Sequence, residues 1–249
     1  MAFVRLALEG RKKSARPCRI EAGVVVVGVR GRLWRAAHGE TETIPMKLTT
    51  MTQITLDGVS QGNGEATDQE RKEGFDRGGW ARGAGDDETR TYINQTYQRA
   101  DAFLFGRRTY DLFVNSWGTA SDMRAHPVGV VLNSTPKYVV STTLTDPQWE
   151  NTTVLSGDFM AAIRALKAGP GGELQVHGSS ILVQALLQEG LVDQMTLLIV
   201  PVVLGQGRRL FPDAGPDLAF ELIDSRIDSK GVAIHVFRPN GRPHYWQTK

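Results

Sequence analysis

The sequence predicts an α/β domain: a mainly parallel, twisted sheet covered by helices on both faces, with an antiparallel hairpin at its C-terminal end. Three observations predict it. From residue 87 onward, short apolar runs alternate with segments of helical spacing, the rhythm of strand–helix–strand crossovers. The apolar runs, such as AFLFG and ELQVHG, are short and bounded by glycine, as buried strands of a covered parallel sheet are. Lastly, FELIDSRIDSKGVAIHVFRP (220–239) contains two extended stretches meeting near Lys230-Gly231, the signature of a hairpin.

In chain order, MKLTTMTQITLDG (46–58) is a strand of β-branched residues ending at Gly58. Residues 61–87 are rich in glycine and charge and form an irregular region with a short helix in it. DETRTYINQTYQRA (87–100) has helical spacing at Tyr92, Ile93 and Tyr97, with Asp87 as the N-cap. AFLFG (102–106) is a strand and RTYDLFVNSW (108–117) a helix. KYVVS (137–141) is a strand and SGDFMAAIRALKAG (156–169) a helix that closes on Gly169. ELQVHG (173–178) is a strand, SSILVQALLQEG (179–190) a helix, and QMTLLIVPVVLG (194–205) a long strand with Pro201 near its end. There is no internal repeat.

Charge and cysteine usage narrow the function. The net charge of +2 comes from residues 1–45, where nine Lys/Arg face four Asp/Glu, leaving 20 basic against 23 acidic residues in the body. A mildly acidic body is a poor nucleic-acid surface; only the basic segment could serve as a nucleic-acid tether. Residues 1–45 are expected to be an extension, disordered or lying upstream of a natural start at Met46, residues 46–240 the domain, and 241–249 a tail. Cys18 is the single cysteine, so a disulfide framework and a cysteine-rich zinc site are excluded. His126, His235 and His244 have no metal-ligand spacing with any carboxylate, and no metal is assigned. The apolar run at 22–34 is interrupted by Arg30 and Arg32 and no cleavage site follows, so a cytoplasmic protein without a membrane span is expected.

Two strand-to-helix junctions look alike, LFGRRTY and VHGSSIL. A helix start presents free N–H groups and a positive dipole end, which favour an anion, and open parallel sheets bind ligands at the carboxyl ends of their strands. Two such junctions on one edge suit an elongated phosphorylated ligand such as a dinucleotide. Neither has the glycine spacing of a Rossmann fingerprint or a phosphate-binding loop.

Together, ITLDG (54–58), LFGRRTYDLF (104–113), LNSTPKYVVSTTL (132–144) and VHGSSILVQALLQEGLVDQMTLLIVPVVLGQGRRLF (176–211) resemble the dihydrofolate-reductase-like superfamily. The match is closest to the C-terminal reductase domain of bifunctional riboflavin-biosynthesis deaminase/reductases and their stand-alone relatives. The resemblance spans about residues 46–240 and implies a three-layer αβα fold and NADPH-dependent reduction of a small heterocyclic, imine or carbonyl substrate. The family's zinc deaminase domain, which needs a C-x-x-C pair, has no counterpart in a chain with one cysteine.

By that resemblance, Gly106, Arg107 and Thr109 hold the cofactor phosphates, where the guanidinium fork suits a phosphate. Ser141 and Thr142 match the loop at the adenosine end; Thr142 stands where the family often has an arginine. Gly178, Ser179 and Ser180 match a second phosphate-binding turn, and Gly205 a loop beside the nicotinamide. Asp57 is the candidate for orienting the substrate or supplying its proton. Family members commonly form homodimers through the sheet edge, and the LLIVPVVLG strand is compatible with that. The alternative is a dinucleotide-binding module without turnover, favoured by the absence of an unmistakable acid in the substrate region.

Overall fold

The computed structural model describes residues 44–246. Apart from Ile44 and Pro45, the expected basic extension lies outside the described residues. Eight strands form one sheet: β1 (Lys47–Thr55), β2 (Ala100–Gly106), β3 (Lys137–Val140), β4 (Thr152–Leu155), β5 (Glu173–His177), β6 (Gln194–Val200), β7 (Phe220–Ile227) and β8 (Ala233–Pro239), in the order β4-β3-β2-β5-β1-β6-β8-β7. The first six strands in that order run parallel, β8 runs antiparallel to β6, and β7 antiparallel to β8. The predicted sheet and its terminal hairpin are therefore both present. The hairpin turns where predicted: Gly231 has φ +84°, and Asp228 Oδ1 accepts from the amides of Lys230 and Val232.

Among the described residues, seven α-helices connect the strands: α1 (Asp68–Lys72), α2 (Asp87–Gln98), α3 (Arg107–Phe113), α4 (Ser121–Ala125), α5 (Pro127–Ser134), α6 (Phe159–Ala168) and α7 (Ser180–Gln188). The inward faces of β2, β5 and β1 supply two apolar layers. One, with Phe103, Phe105, Tyr97, Tyr110 and Leu132, lies under α2, α3 and α5. The other, with Leu48, Leu104, Val176, Ile163, Val183 and Leu186, lies under α6 and α7. Helices on both faces explain why the strands are apolar on both faces.

Local chemistry departs from expectation in several places. The N-cap of α2 is Asp86, not Asp87: Asp86 has extended backbone and accepts from Glu88 and Thr89 amides, while its second oxygen accepts from Ser229. The first strand stops at Thr55, where Leu56–Gly58 turn with Gly58 at φ +79°. The long strand stops at Val200, since Pro201 has no N–H for the ladder. The helix predicted at 108–117 starts one residue earlier and changes to a π-helical turn over Val114–Gly118. Strand β4 and helices α4 and α5 were not anticipated. Strand β6, offered as compatible with a dimer edge, is interior, paired with β1 and β8; the edges are β4 and β7. Residues 241–246, expected as a tail, fold back: Arg242 Nε and Tyr245 Oη both donate to Asp217.

Candidate functional site

Strands β2 and β5 are neighbours, so the helices that follow them, α3 and α7, start side by side at the carboxyl edge of the sheet. The Gly106 amide donates to Ser179 Oγ at 3.0 Å, tying one junction to the other. Neither helix has a side-chain cap, so their first-turn amides remain without an intrahelical partner. Gly178 and Ser179 both adopt the left-handed conformation, at φ +61° and +51°. For serine this costs about 1 kcal/mol, and the turn it makes aims the start of α7 toward α3.

Beside this pair of junctions opens a cavity of about 760 Å³. Gly106, Arg107, Thr109, Gly178, Ser179 and Ser180, six of the predicted residues, line it. A Cβ at Gly106 would meet Ser179 Oγ at 3.4 Å and one at Gly178 would meet Thr109 at 3.7 Å, both ordinary contacts; at Gly178 it is the φ of +61° that favours glycine. The remaining lining includes Gln53 and Asn63, Tyr97 of α2, Phe113 and Trp117 after α3, and the charged Arg82, Arg90 and Arg208. Val140 and Phe159 give an apolar wall at the end near β3.

The arginines of the cradle are already paired. Arg107 Nε donates to both oxygens of Asp111 at 2.9 Å, and Arg108 forms a 2.9 Å ion pair with Glu70. Glu70 also closes a capping box with Thr67 and accepts from Gln61. Burial raises its pKa, but the bonds from Thr67 and Gln61 and the charge of Arg108 outweigh burial and leave it below the usual carboxylate range. The T-x-x-E spacing at Thr67–Glu70 is legible in the sequence as a capping box; that its glutamate reaches the cavity is not.

Four predicted residues fall outside the cavity lining. Asp57 is one. Its carboxylate accepts from Thr55 Oγ1 at 2.5 Å and from the Leu204 and Gly205 amides at 3.2 and 2.7 Å. The Thr55 bond, opposed by partial burial and reinforced by the two amides, lowers its pKa to about 2. So placed, Asp57 clamps the turn after β1 to the loop after β6. Gly205 belongs to that clamp, its φ of +70° fitting the loop, rather than to the cavity. Replacing Asp57 with alanine is expected to lower stability by about 1–2 kcal/mol, a fall in Tm of roughly 5 °C by thermal melt.

Ser141 and Thr142 are the other two. Ser141 Oγ accepts from the Thr143 and Leu144 amides at 3.2 and 3.0 Å, so it ties a local turn, while Thr142 is exposed.

At the cavity floor the sequence reading understated His177. It is buried, 3% exposed, stacks on Tyr97 at 3.9 Å, and bonds Gln175 Oε1 through Nε2 at 2.9 Å. Burial lowers its pKa to about 3, so the ring is neutral. Polar residues on a central strand, TTMTQIT, were the available signal that this part of the sheet serves more than packing.

Compared with known proteins, residues 46–234 match the model of the RibD C-terminal domain. The chain belongs to that family. As a RibD C-terminal domain it is 29% identical over 195 residues to the uncharacterised protein YyaP of Bacillus subtilis (strain 168), covering 76% of this chain and 92% of YyaP. The fold is shared with a protein from Shewanella sp. PV-4 described as a riboflavin biosynthesis protein, with TM-score 0.60 and 23% identity over 78% of this chain and 99% of that one. It is shared also with a pyrimidine reductase-like protein from Corynebacterium diphtheriae, TM-score 0.50 and 13% identity, covering 79% and 92%. The branch of the superfamily expected from the motifs is thus the one found. No helix among the described residues of this RibD C-terminal domain is long and apolar enough to cross a membrane.

Proposed function

We propose that the protein is an NADPH-dependent reductase of a small heterocyclic, imine or carbonyl substrate. The observation that carries this reading is the Gly106–Ser179 bond, which sets two uncapped helix starts against each other at the edge where open parallel sheets bind ligands. The cradle fits a dinucleotide: two anion-competent turns, glycines at both, and Arg107 and Arg108 beside them. When bound, NADPH supplies the hydride. Gly106, Arg107, Thr109, Gly178, Ser179 and Ser180 would hold its phosphates. Phe113, Trp117 and Tyr97 line the same cavity and would keep water from bound ligands. The proton would reach the substrate from Asp57 or through water.

Titration with NADPH, followed by quenching of tryptophan fluorescence, tests this; Trp117 lines the cavity. Arg107→Ala is expected to weaken binding roughly tenfold, about 1.4 kcal/mol, the loss of one exposed charge-assisted contact. If the wild type ignores millimolar NADPH and NADH, the reading fails.

A binding module without turnover is the second reading, favoured by the position of Asp57. Stoichiometric NADPH binding with no oxidation across pterins, pyrimidines, quinones and aldehydes would establish it. A homodimer through the sheet edge belongs to the main reading. Its support is edge strand β7, with Leu222, Ile223 and Ile227 exposed; sedimentation of the wild type against Leu222→Lys tests it.

A further inference from the structure

We infer that Glu70 is a positioning residue: it holds the Arg108 guanidinium in the cavity wall, ready for a phosphate of the ligand. Naming that ligand NADPH rests on the reductase reading above; the arrangement of the two side chains does not.

Glu70 sits on α1, a helix of five residues, yet it is buried, 4% exposed, and lines the 760 Å³ cavity. Helix capping accounts for only one of its oxygens. Oε2 accepts from the Thr67 amide at 2.9 Å and from the Thr67 hydroxyl at 3.0 Å, on the capping-box side. Oε1 faces elsewhere: it accepts from Gln61 Nε2 at 3.1 Å and meets Arg108 Nη2 at 2.9 Å. A glutamine would serve the box as well as a glutamate, so capping leaves the charge of Glu70 unexplained. Burying a charge is costly unless it is paired. The partner that pairs it, Arg108, lines the same cavity.

Of the two, the acid is the anchor. Three donors besides Arg108 fix the carboxylate, and its side chain is 6% exposed against 41% for the arginine. The pair engages Nη2, which leaves Nη1 and Nε of the planar fork for a ligand. Arg107 differs: its Nε is bound to Asp111 one turn along α3, an exposed pair of the kind that contributes little. Gln61 extends the arrangement, because its Oε1 accepts from the Arg208 amide at 2.9 Å and Arg208 also lines the cavity. Ser60, next in the chain, has its hydroxyl 2.6 Å from that of Ser180, which brings this wall to the start of α7. Two arginines against one acid leave the wall positive, and a guanidinium held in one orientation suits a phosphate.

The test is a double-substitution cycle read by calorimetric titration at physiological salt, with NADPH and with inorganic pyrophosphate. Glu70→Gln keeps a residue fit for the capping box and removes the ion pair. It is expected to weaken binding of both probes roughly fivefold, since the ligand must then order Arg108 itself. Arg108→Ala is expected to weaken both by about tenfold or more. The double variant should bind no worse than Arg108→Ala alone, because Glu70 acts through the arginine. Charge alone predicts the opposite sign, since removing a carboxylate near a phosphate tightens binding; salt screens that effect at the exposed arginine. In 15N spectra of the ligand-free protein, the Arg108 guanidinium signals should be resolved in wild type and averaged in Glu70→Gln. Unchanged or tighter binding by Glu70→Gln, an equal further loss in the Arg108→Ala background, or averaged Arg108 signals in wild type would each overturn the inference. If wild type shows the pattern with pyrophosphate but ignores NADPH, the cofactor reading falls and this one stands. If it binds neither, both fall.

Discussion

Acidifying the protein from pH 7 to pH 4 is expected to lower its stability by about 3 kcal/mol through His177 alone. Burial holds the folded-state pKa of His177 near 3, against an ordinary value of 6.5. The folded value is the lower one, so between these limits the unfolded chain takes up a proton that the folded chain refuses. Stability is therefore complete above pH 6.5 and falls as pH drops toward 3. Among the described residues, Glu173 and Arg99 are linked to the ring through Gln175. Urea unfolding at pH 7, 5.5 and 4 checks this. His177→Gln should flatten the pH dependence of wild type by about that amount, and equal slopes would contradict the account.

Phe103→Ala is expected to cost about 3–5 kcal/mol at pH 7. Phe103 is fully buried between Tyr97, Phe105 and His177, with ring centroids 5.8, 6.0 and 5.7 Å away. The vacated volume lies against the imidazole. If water enters it, His177 is partly rehydrated, and the acid-induced loss should shrink in the same variant. Measuring both substitutions and their combination as a double-mutant cycle at pH 7 and pH 4 separates packing from protonation. A purely additive cycle at both pH values would show that the two side chains act independently.

How much of this was legible beforehand differs by element. Strands β2, β5 and β6 were readable because burial on both faces leaves short apolar runs that nothing else explains. The two helix starts were readable because Gly106 and Gly178 punctuate a strand-to-helix change. Strand β4, TTVL, was not: four residues at a sheet edge carry too little pattern. Helix α5 begins at a His-Pro pair, where Pro127 at the first helical position is a start signal in its own right. Asp86 and Asp87 both satisfy the N-cap preference, and the choice was made by Ser229, some 140 residues away, which holds the second Asp86 oxygen. Asp57 shows the same limit. Its neighbours in sequence suggested chemistry, but its partners, Leu204 and Gly205, lie across the fold. Local sequence names the kind of residue a site needs, whereas long-range partners determine which way each side chain turns.

The strand order carries a consequence for how the chain must be made. Strand β1 has no hydrogen-bonded neighbour until β5 and β6 arrive, because Lys47 pairs with Glu173 and Thr49 with Gln194. On the ribosome, β1 thus waits through residues 56–172 with both edges open, while β2 and β3 can already pair with each other. Closing loops that long is slow, and open strand edges are sticky in the interval. Until β5 and β6 are made, only packing or another molecule can shield the two open edges of β1.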